Sequence, residues 1–163
     1  MVRYKARLVA QGSTQRPEVG FNETYSPIMS GITFRHCISL AVQKRLSMQL
    51  MDVVTAYLYG SLDSDLYMKV PDGISIPNQG TNRNMYCVKL KRSLYGLKQS
   101  ERMWYNRLSE YLVQKGYSNS DDCPYVFIKR SSLGFCIISV YVDDINIIGN
   151  SESIDEARRW SLR

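Results

Sequence analysis

The stretch Phe135-Cys136-Ile137-Ile138-Ser139-Val140-Tyr141-Val142-Asp143-Asp144-Ile145-Asn146-Ile147-Ile148-Gly149 decides how this chain is read. Two apolar runs, rich in β-branched and aromatic residues, flank one pair of acids. Each run is too short to cross a membrane and reads as a buried strand. Asp143 and Asp144 then fall at the turn of a hairpin. Asp is a good turn residue in its own right, and Asp121-Asp122, between Ser118-Asn119-Ser120 and Pro124, is that ordinary case in a polar loop. At 143–144 the flanking strands must be buried. Two like charges beside a core repel each other and are costly to desolvate unless something cationic neutralises them. A hard divalent ion with oxygen ligands suits that task.

A second apolar run upstream, Met48-Gln49-Leu50-Met51-Asp52-Val53-Val54, also ends in a carboxylate. It reads as a strand beside the 135–142 strand. Asp52 has two readings: a cap for the turn Thr55 to Tyr59, or a third metal ligand delivered to the same place as Asp143 and Asp144. Carboxylates at two strand ends could hold two divalent ions about 3.5–4 Å apart. Spacing alone does not bring Asp52 to Asp143.

The chain has 163 residues, 44% hydrophobic and 22% charged, enough for one domain or part of one with a real core. Its formal charge of +6 makes an anionic partner plausible. Arg83, Lys89, Lys91, Arg92, Lys98, Arg102 and Arg107 crowd one segment against a single acid, Glu101, and Arg3, Lys5 and Arg7 open the chain. This predicts weak, salt-sensitive affinity for nucleic acid. The four cysteines form no CxxC pair and His36 is the only histidine, which argues against a zinc site. Cys37 and Cys136 read as core thiols. The absence of a signal peptide points to an intracellular compartment, and no run approaches a membrane span.

Local patterns place the remaining elements. Tyr4 to Val9 alternates like a strand, and Gln11 to Thr24 reads as a loop. Ile32 to Leu46 is helix-like, with Phe34, Ile38, Ala41 and Val42 as its core face. Tyr67 to Val70 and Val88 to Lys91 read as strands. A helix is expected from Ser100 to Lys115, with Ser100 as N-cap, Gly116 as stop, and Trp104, Leu108, Tyr111 and Leu112 as its buried stripe. Val126 to Lys129 should form a hairpin with the 135–142 strand, and a short helix is expected after Ser151.

On these motifs the chain resembles the reverse transcriptase of copia-type LTR retrotransposons, plant elements in particular. The matching segments are Tyr4-Lys5-Ala6-Arg7-Leu8-Val9-Ala10, Tyr25-Ser26-Pro27, Asp52-Val53-Val54-Thr55-Ala56-Tyr57-Leu58-Tyr59-Gly60, Ser93-Leu94-Tyr95-Gly96-Leu97-Lys98-Gln99, Trp104-Tyr105 and Tyr141-Val142-Asp143-Asp144. A lone YVDD is a weak signal; the ordered set is specific. The resemblance implies an α+β polymerase palm-and-fingers fold with an antiparallel sheet and helices packed on one face. Fingers elements would lie at about 1–47 and 60–95, and palm elements at about 48–59 and 96–157. It implies RNA-directed DNA synthesis by two-metal nucleotidyl transfer, with two Mg²⁺ ions, or Mn²⁺, held by Asp52, Asp143, Asp144 and the carbonyl of Val53. It implies that Lys5 and Arg7 hold the incoming triphosphate, that Tyr57 blocks a ribose 2′-hydroxyl, and that Gln99 lies against nucleotide and template. Lys89, Lys91, Arg92 and Lys98 would contact nucleic acid. Partners would be an RNA template, a DNA primer, deoxynucleotides and the integrase and RNase H regions of a longer polyprotein, in the cytoplasm or nucleus, with no membrane.

The chain departs from the family at Val54 and Tyr59, where many relatives have Lys and Asn, and at Glu101, where relatives carry a small residue or Pro. Arg158 to Arg163 leave the pattern. The chain is expected to be a piece lacking the primer grip, the thumb-like connection and RNase H. Two other functions stay open on the residues: a non-catalytic relic that binds nucleic acid, and another two-metal palm enzyme such as a nucleotidyl cyclase.

Overall fold

The computed structural model describes residues 4, 6–77, 82–132 and 134–159. Its backbone forms helix α1 (Gly31–Gln43), strands β1 (Ser47–Asp52), β2 (Tyr67–Lys69) and β3 (Cys87–Lys89), helix α2 (Ser100–Gln114), strands β4 (Ser118–Ser120), β5 (Cys123–Ser131), β6 (Gly134–Tyr141) and β7 (Asp144–Gly149), and helix α3 (Ser151–Arg158). All pairing between these strands is antiparallel, and the class is α+β. The chain divides into two compact units, Met1–Tyr25 with Tyr57–Trp104, and Ser26–Ala56 with Tyr105–Arg163. These bounds differ from the fingers and palm segments read from sequence. In particular, α1 belongs to the same unit as β1 and β7.

The second unit is built on a sheet of order β1-β7-β6-β5-β4. β6 and β7 pair in register from Cys136↔Gly149 to Tyr141↔Asp144. Cys136 to Val140 and Ile145 to Gly149 are all buried, so both faces of these two strands need cover. That explains why the helices do not pack on one face, as sequence reading expected. Cys37 and Ala41 of α1 pack on Ile137 and Ile148. The opposite face carries Phe127, Ile138 and Ile147, which are in register with one another and fully buried. There the Tyr105 ring of α2 lies 6.5 Å from Phe127. α3 covers the same side, where Lys129 Nζ donates to Glu156 Oε1 at 2.9 Å. Burying one such isoleucine contributes about 1.5–3 kcal/mol.

Sequence periodicity placed the core face of α1 in part: Ala41 is buried as expected, but two of the other positions are not. Ile38 and Val42 are 36% and 74% exposed, and the buried residues are Cys37 and Ala41. The helix starts where Ser30 Oγ accepts from the Thr33 amide at 3.2 Å, and it ends three residues before the expected Leu46. In α2 the expected stripe holds at Trp104, Leu108 and Leu112, each at most 2% exposed, while Tyr111 is only half-buried. Gly116 stops that helix at φ +84°, a left-handed conformation that suits glycine. Strand β4 had been read as loop, and it closes a hairpin with β5 through Ser120↔Cys123.

The first unit has little regular structure. β2 and β3 form a short pair, Tyr67↔Lys89 to Lys69↔Cys87. The described residues of 4–9 form no strand; Tyr4, Leu8 and Val9 are all more than half exposed. Among the described residues no helix is long and apolar enough to cross a membrane.

Candidate active site

Register brings the acids of the second unit together. β1 pairs with β7, not with β6 as expected, because the tight β6–β7 hairpin folds β7 in between. Asp52 therefore stands directly opposite Asp144, and Val53 N–H donates to the Asp143 carbonyl at 3.0 Å. Opposed residues of antiparallel strands have Cα atoms about 4.5–5.5 Å apart. Asp144 is the first residue of β7, so the turn itself is Val142-Asp143. Val142 has φ +57°. A two-residue hairpin turn with a positive first φ normally takes Gly there. A β-branched residue in that region costs about 1–2 kcal/mol, and strain of this kind collects at functional sites.

The surroundings of the acids differ from the sequence expectation. The strands are buried, but Asp52 and Asp144 are exposed and Asp143 is half-buried. Water therefore carries part of the burden that a buried pair would place on a cation. Among the described residues, none of the three forms an ion pair with Lys or Arg. Asp121 and Asp122 make the ordinary turn they were expected to make, with the Asp122 amide donating to Ser120 Oγ at 3.2 Å.

Whether these donors suit a divalent ion can be judged from their chemistry. Among the described residues no group of three or more His, Cys, Asp or Glu side chains is arranged to hold a metal. The cross-strand pair Asp52 and Asp144 nevertheless supplies hard oxygens from two adjacent strands. Magnesium at phosphate-transfer sites commonly takes one or two carboxylates and completes its shell with water and substrate phosphates. The donor set fits that use and not a closed protein cage.

In the first unit, Lys5 lies outside the described residues. Arg7 is exposed, with its guanidinium 5.7 Å from the centre of the Tyr95 ring. Tyr57 is half-buried, and its ring centre is 4.7 Å from that of Tyr95, tilted by 50°. Gln99 is only 1% exposed. Its Nε2 donates to the Gly20 carbonyl at 2.9 Å, and its Oε1 accepts from Gln15 Nε2 at 3.0 Å. Gln15 Nε2 also donates to Gly20 O at 2.9 Å, and Gln15 Oε1 accepts from the Lys98 amide at 2.8 Å. The side chain assigned to nucleotide contact thus clasps the loop Gln11–Phe21. Lys98 Nζ lies 4.5 Å over the Phe21 ring.

The basic segment is partly neutralised. Lys89 pairs with Asp65 at 2.6 Å, and this bond raises the Lys89 ammonium above its ordinary range. Arg102 pairs with Glu23 at 3.1 Å and Asp63 at 3.5 Å. Lys91 and Arg92 stay exposed. Burial raises the Glu101 carboxyl above the usual carboxylate range. Sequence reasoning gave Gln15 and Tyr95 no role. Tyr95 lay inside a quoted motif, but no local pattern shows which rings it will touch.

Comparison with known proteins agrees with the sequence resemblance. A family profile described as reverse transcriptase (RNA-dependent DNA polymerase) matches residues 1–160. The retrovirus-related Pol polyprotein from transposon TNT 1-94 of Nicotiana tabacum is 37% identical over 94% of this chain and 11% of its own length. The Pol polyprotein from transposon RE1 of Arabidopsis thaliana is 39% identical over 93% of this chain and 10% of its own. The Ty1-GR1 Gag-Pol polyprotein of Saccharomyces cerevisiae is 33% identical over 95% and 8%. The chain thus spans about a tenth of the length of these relatives. No solved structure gives a significant match.

Proposed function

Since the chain belongs to the reverse transcriptase (RNA-dependent DNA polymerase) family, we propose that it is the palm and fingers part of a copia-type Pol polyprotein. In this reading it extends a DNA primer on an RNA template from deoxynucleotides. The observation that carries the reading is the register pair Asp52↔Asp144, with Asp143 on the adjoining strained turn. The carboxylates of Asp52, Asp143 and Asp144, with the Val53 carbonyl, would hold divalent magnesium. Magnesium, when bound, supplies charge neutralisation for the triphosphate and a lowered pKa for the primer hydroxyl.

The chain's own residues supply position. Buried, doubly covered β6 and β7 hold the acid-bearing turn rigid, and rigid placement of reacting groups is worth about 7–11 kcal/mol of barrier in a fully assembled site. Arg7, and Lys5 by the family pattern, offer cations to phosphate oxygens. Tyr57, by the family pattern, would offer the flat ring that excludes a ribose 2′-hydroxyl. Exposed Lys91 and Arg92 offer sequence-independent contacts to a nucleic-acid backbone. Gln99, which the resemblance sets against nucleotide and template, would act from its clasp on the loop through Gln15 and Gly20.

The test replaces the matching segment of the tobacco TNT 1-94 Pol polyprotein with this chain and measures primer extension on an RNA template. Extension is expected, and Asp143→Asn should lower its rate by about 10³-fold or more. Asp121→Asn should leave it unchanged. Equal rates for Asp143→Asn and the unaltered chimera would sink the assignment.

A further inference from the structure

In the first unit one side chain joins two groups that the proposed function keeps separate. The ring of Tyr95 carries the guanidinium of Arg7 on one contact, 5.7 Å from its centre, and the ring of Tyr57 on another, 4.7 Å away. The contact does not depend on chance surface packing. The Ala10 amide donates to the Tyr95 carbonyl at 2.7 Å, which fixes the backbone three residues beyond Arg7 against the backbone of Tyr95. Two glycines make the approach possible. A Cβ on Gly96, which has φ +91°, would collide with the Ala10 carbonyl, and a Cβ on Gly12 would collide with the Gly96 carbonyl. The segment 10–12 and the segment 95–96 therefore lie backbone against backbone, and Arg7 is carried to the Tyr95 ring.

We propose that Tyr95 is a positioning residue for nucleotide selection: it fixes the plane of the Tyr57 ring and the place of the Arg7 guanidinium at once. The proposal rests on the reading of Tyr57 as the group that meets the sugar. A flat ring excludes a 2′-hydroxyl only while its plane is held, and an unsupported tyrosine turns about χ1 and χ2 at little cost. Tyr95 is the ring against which Tyr57 packs, and a tilted aromatic pair at this separation is attracted through the edge and face of the two rings. The same ring attracts the guanidinium through its face. Phosphate binding and sugar selection are therefore coupled through Tyr95.

The experiment measures affinity of the full chain for dGTP and for GTP by titration calorimetry with Mn²⁺ present. Four proteins are compared: the unaltered chain, Tyr57→Val, Tyr95→Leu and Tyr95→Phe. The expected result is that Tyr57→Val and Tyr95→Leu both lose most of the dGTP preference. Tyr95→Leu should lower the dGTP-to-GTP affinity ratio by about tenfold, a difference of about 1.4 kcal/mol. Tyr95→Phe, which keeps the ring, should keep the ratio. Tyr95→Met, flexible and of comparable reach, takes the place of the leucine variant if that one does not fold. Loss of the preference in Tyr57→Val but not in Tyr95→Leu or Tyr95→Met overturns the inference alone. So does loss in Tyr95→Phe equal to that in Tyr95→Leu. An unaltered chain without dGTP preference, or a Tyr57→Val variant that keeps it, overturns the reading of Tyr57 and the inference with it.

Discussion

The two units of this chain are held by different chemistry. The second is built on β6 and β7, which bury Ile138, Ile147 and Ile148 completely among many apolar neighbours and carry Ser139 and Asn146 as their buried polar residues. Among its described residues the first keeps four buried apolar side chains, Ala10, Leu66, Met103 and Trp104, and three buried polar ones, Ser93, Gln99 and Ser100. Ser93 Oγ donates to Ser100 Oγ at 2.8 Å, and Ser100 Oγ donates to the Leu94 carbonyl at 2.6 Å. Gln99 clasps the loop through Gly20 and Gln15. Apolar burial is non-directional and sums over area, so it makes a rigid platform for the acids. Hydrogen bonds are directional and modest in net worth, so they hold loops in one arrangement at a cost that can be overcome.

The largest effect expected from this contrast is in the sheet. Ile147→Ala should lower stability by about 2–5 kcal/mol in urea unfolding. Val42→Ala, on a face of α1 that is 74% exposed, should stay within about 0.5 kcal/mol. Equal costs for the two would break the description of the second unit as a doubly covered sheet.

A smaller effect is expected from the clasp. Gln99→Ala removes two hydrogen bonds and should cost about 1–3 kcal/mol. The loss should be local. Amides of 15–21 should exchange faster and Glu-C should cut sooner after Glu18, while amides of 136–149 keep their protection. Faster exchange in both regions together would show that the two are not held independently.

The smallest effect concerns pH. Burial raises the Glu101 carboxyl in the folded chain. The folded state then binds more protons than the unfolded one across the window between the two values. Stability must fall as pH rises from the ordinary carboxylate range through the raised folded value. Glu101→Gln should remove that fall, so its melting temperature should exceed that of the unaltered chain at neutral pH. At about pH 3, where carboxyls are protonated in both states, the two should agree. A variant no more stable at neutral pH would place Glu101 in water and not in the clasped region.

By itself the sequence determined the elements that local periodicity encodes. The apolar runs 135–142 and 145–149 became β6 and β7, the stripe of Trp104, Leu108 and Leu112 became the buried side of α2, and Gly116 ended that helix, because each follows from side-chain spacing along one segment. The sequence also placed carboxylates at strand ends and, through ordered motifs, the family. The β5–β6 and β6–β7 hairpins were legible too, and only the tertiary structure decided that β1 lies beside β7. The order β1-β7-β6 put Asp52 opposite Asp144, and strand order depends on how hairpins pack, which no local pattern records. It also decided that Ile38 and Val42, read as core, are left uncovered, while Cys37 and Ala41 are buried as their sequence suggested. An α-helix has a broad apolar arc, and the partner surface selects which part is covered. Last, it decided that Gln99 clasps a loop more than seventy residues earlier in the chain and that Tyr95 meets both Arg7 and Tyr57. Such contacts join residues far apart in sequence through directional bonds and close backbone approaches, which exist only once the chain has folded.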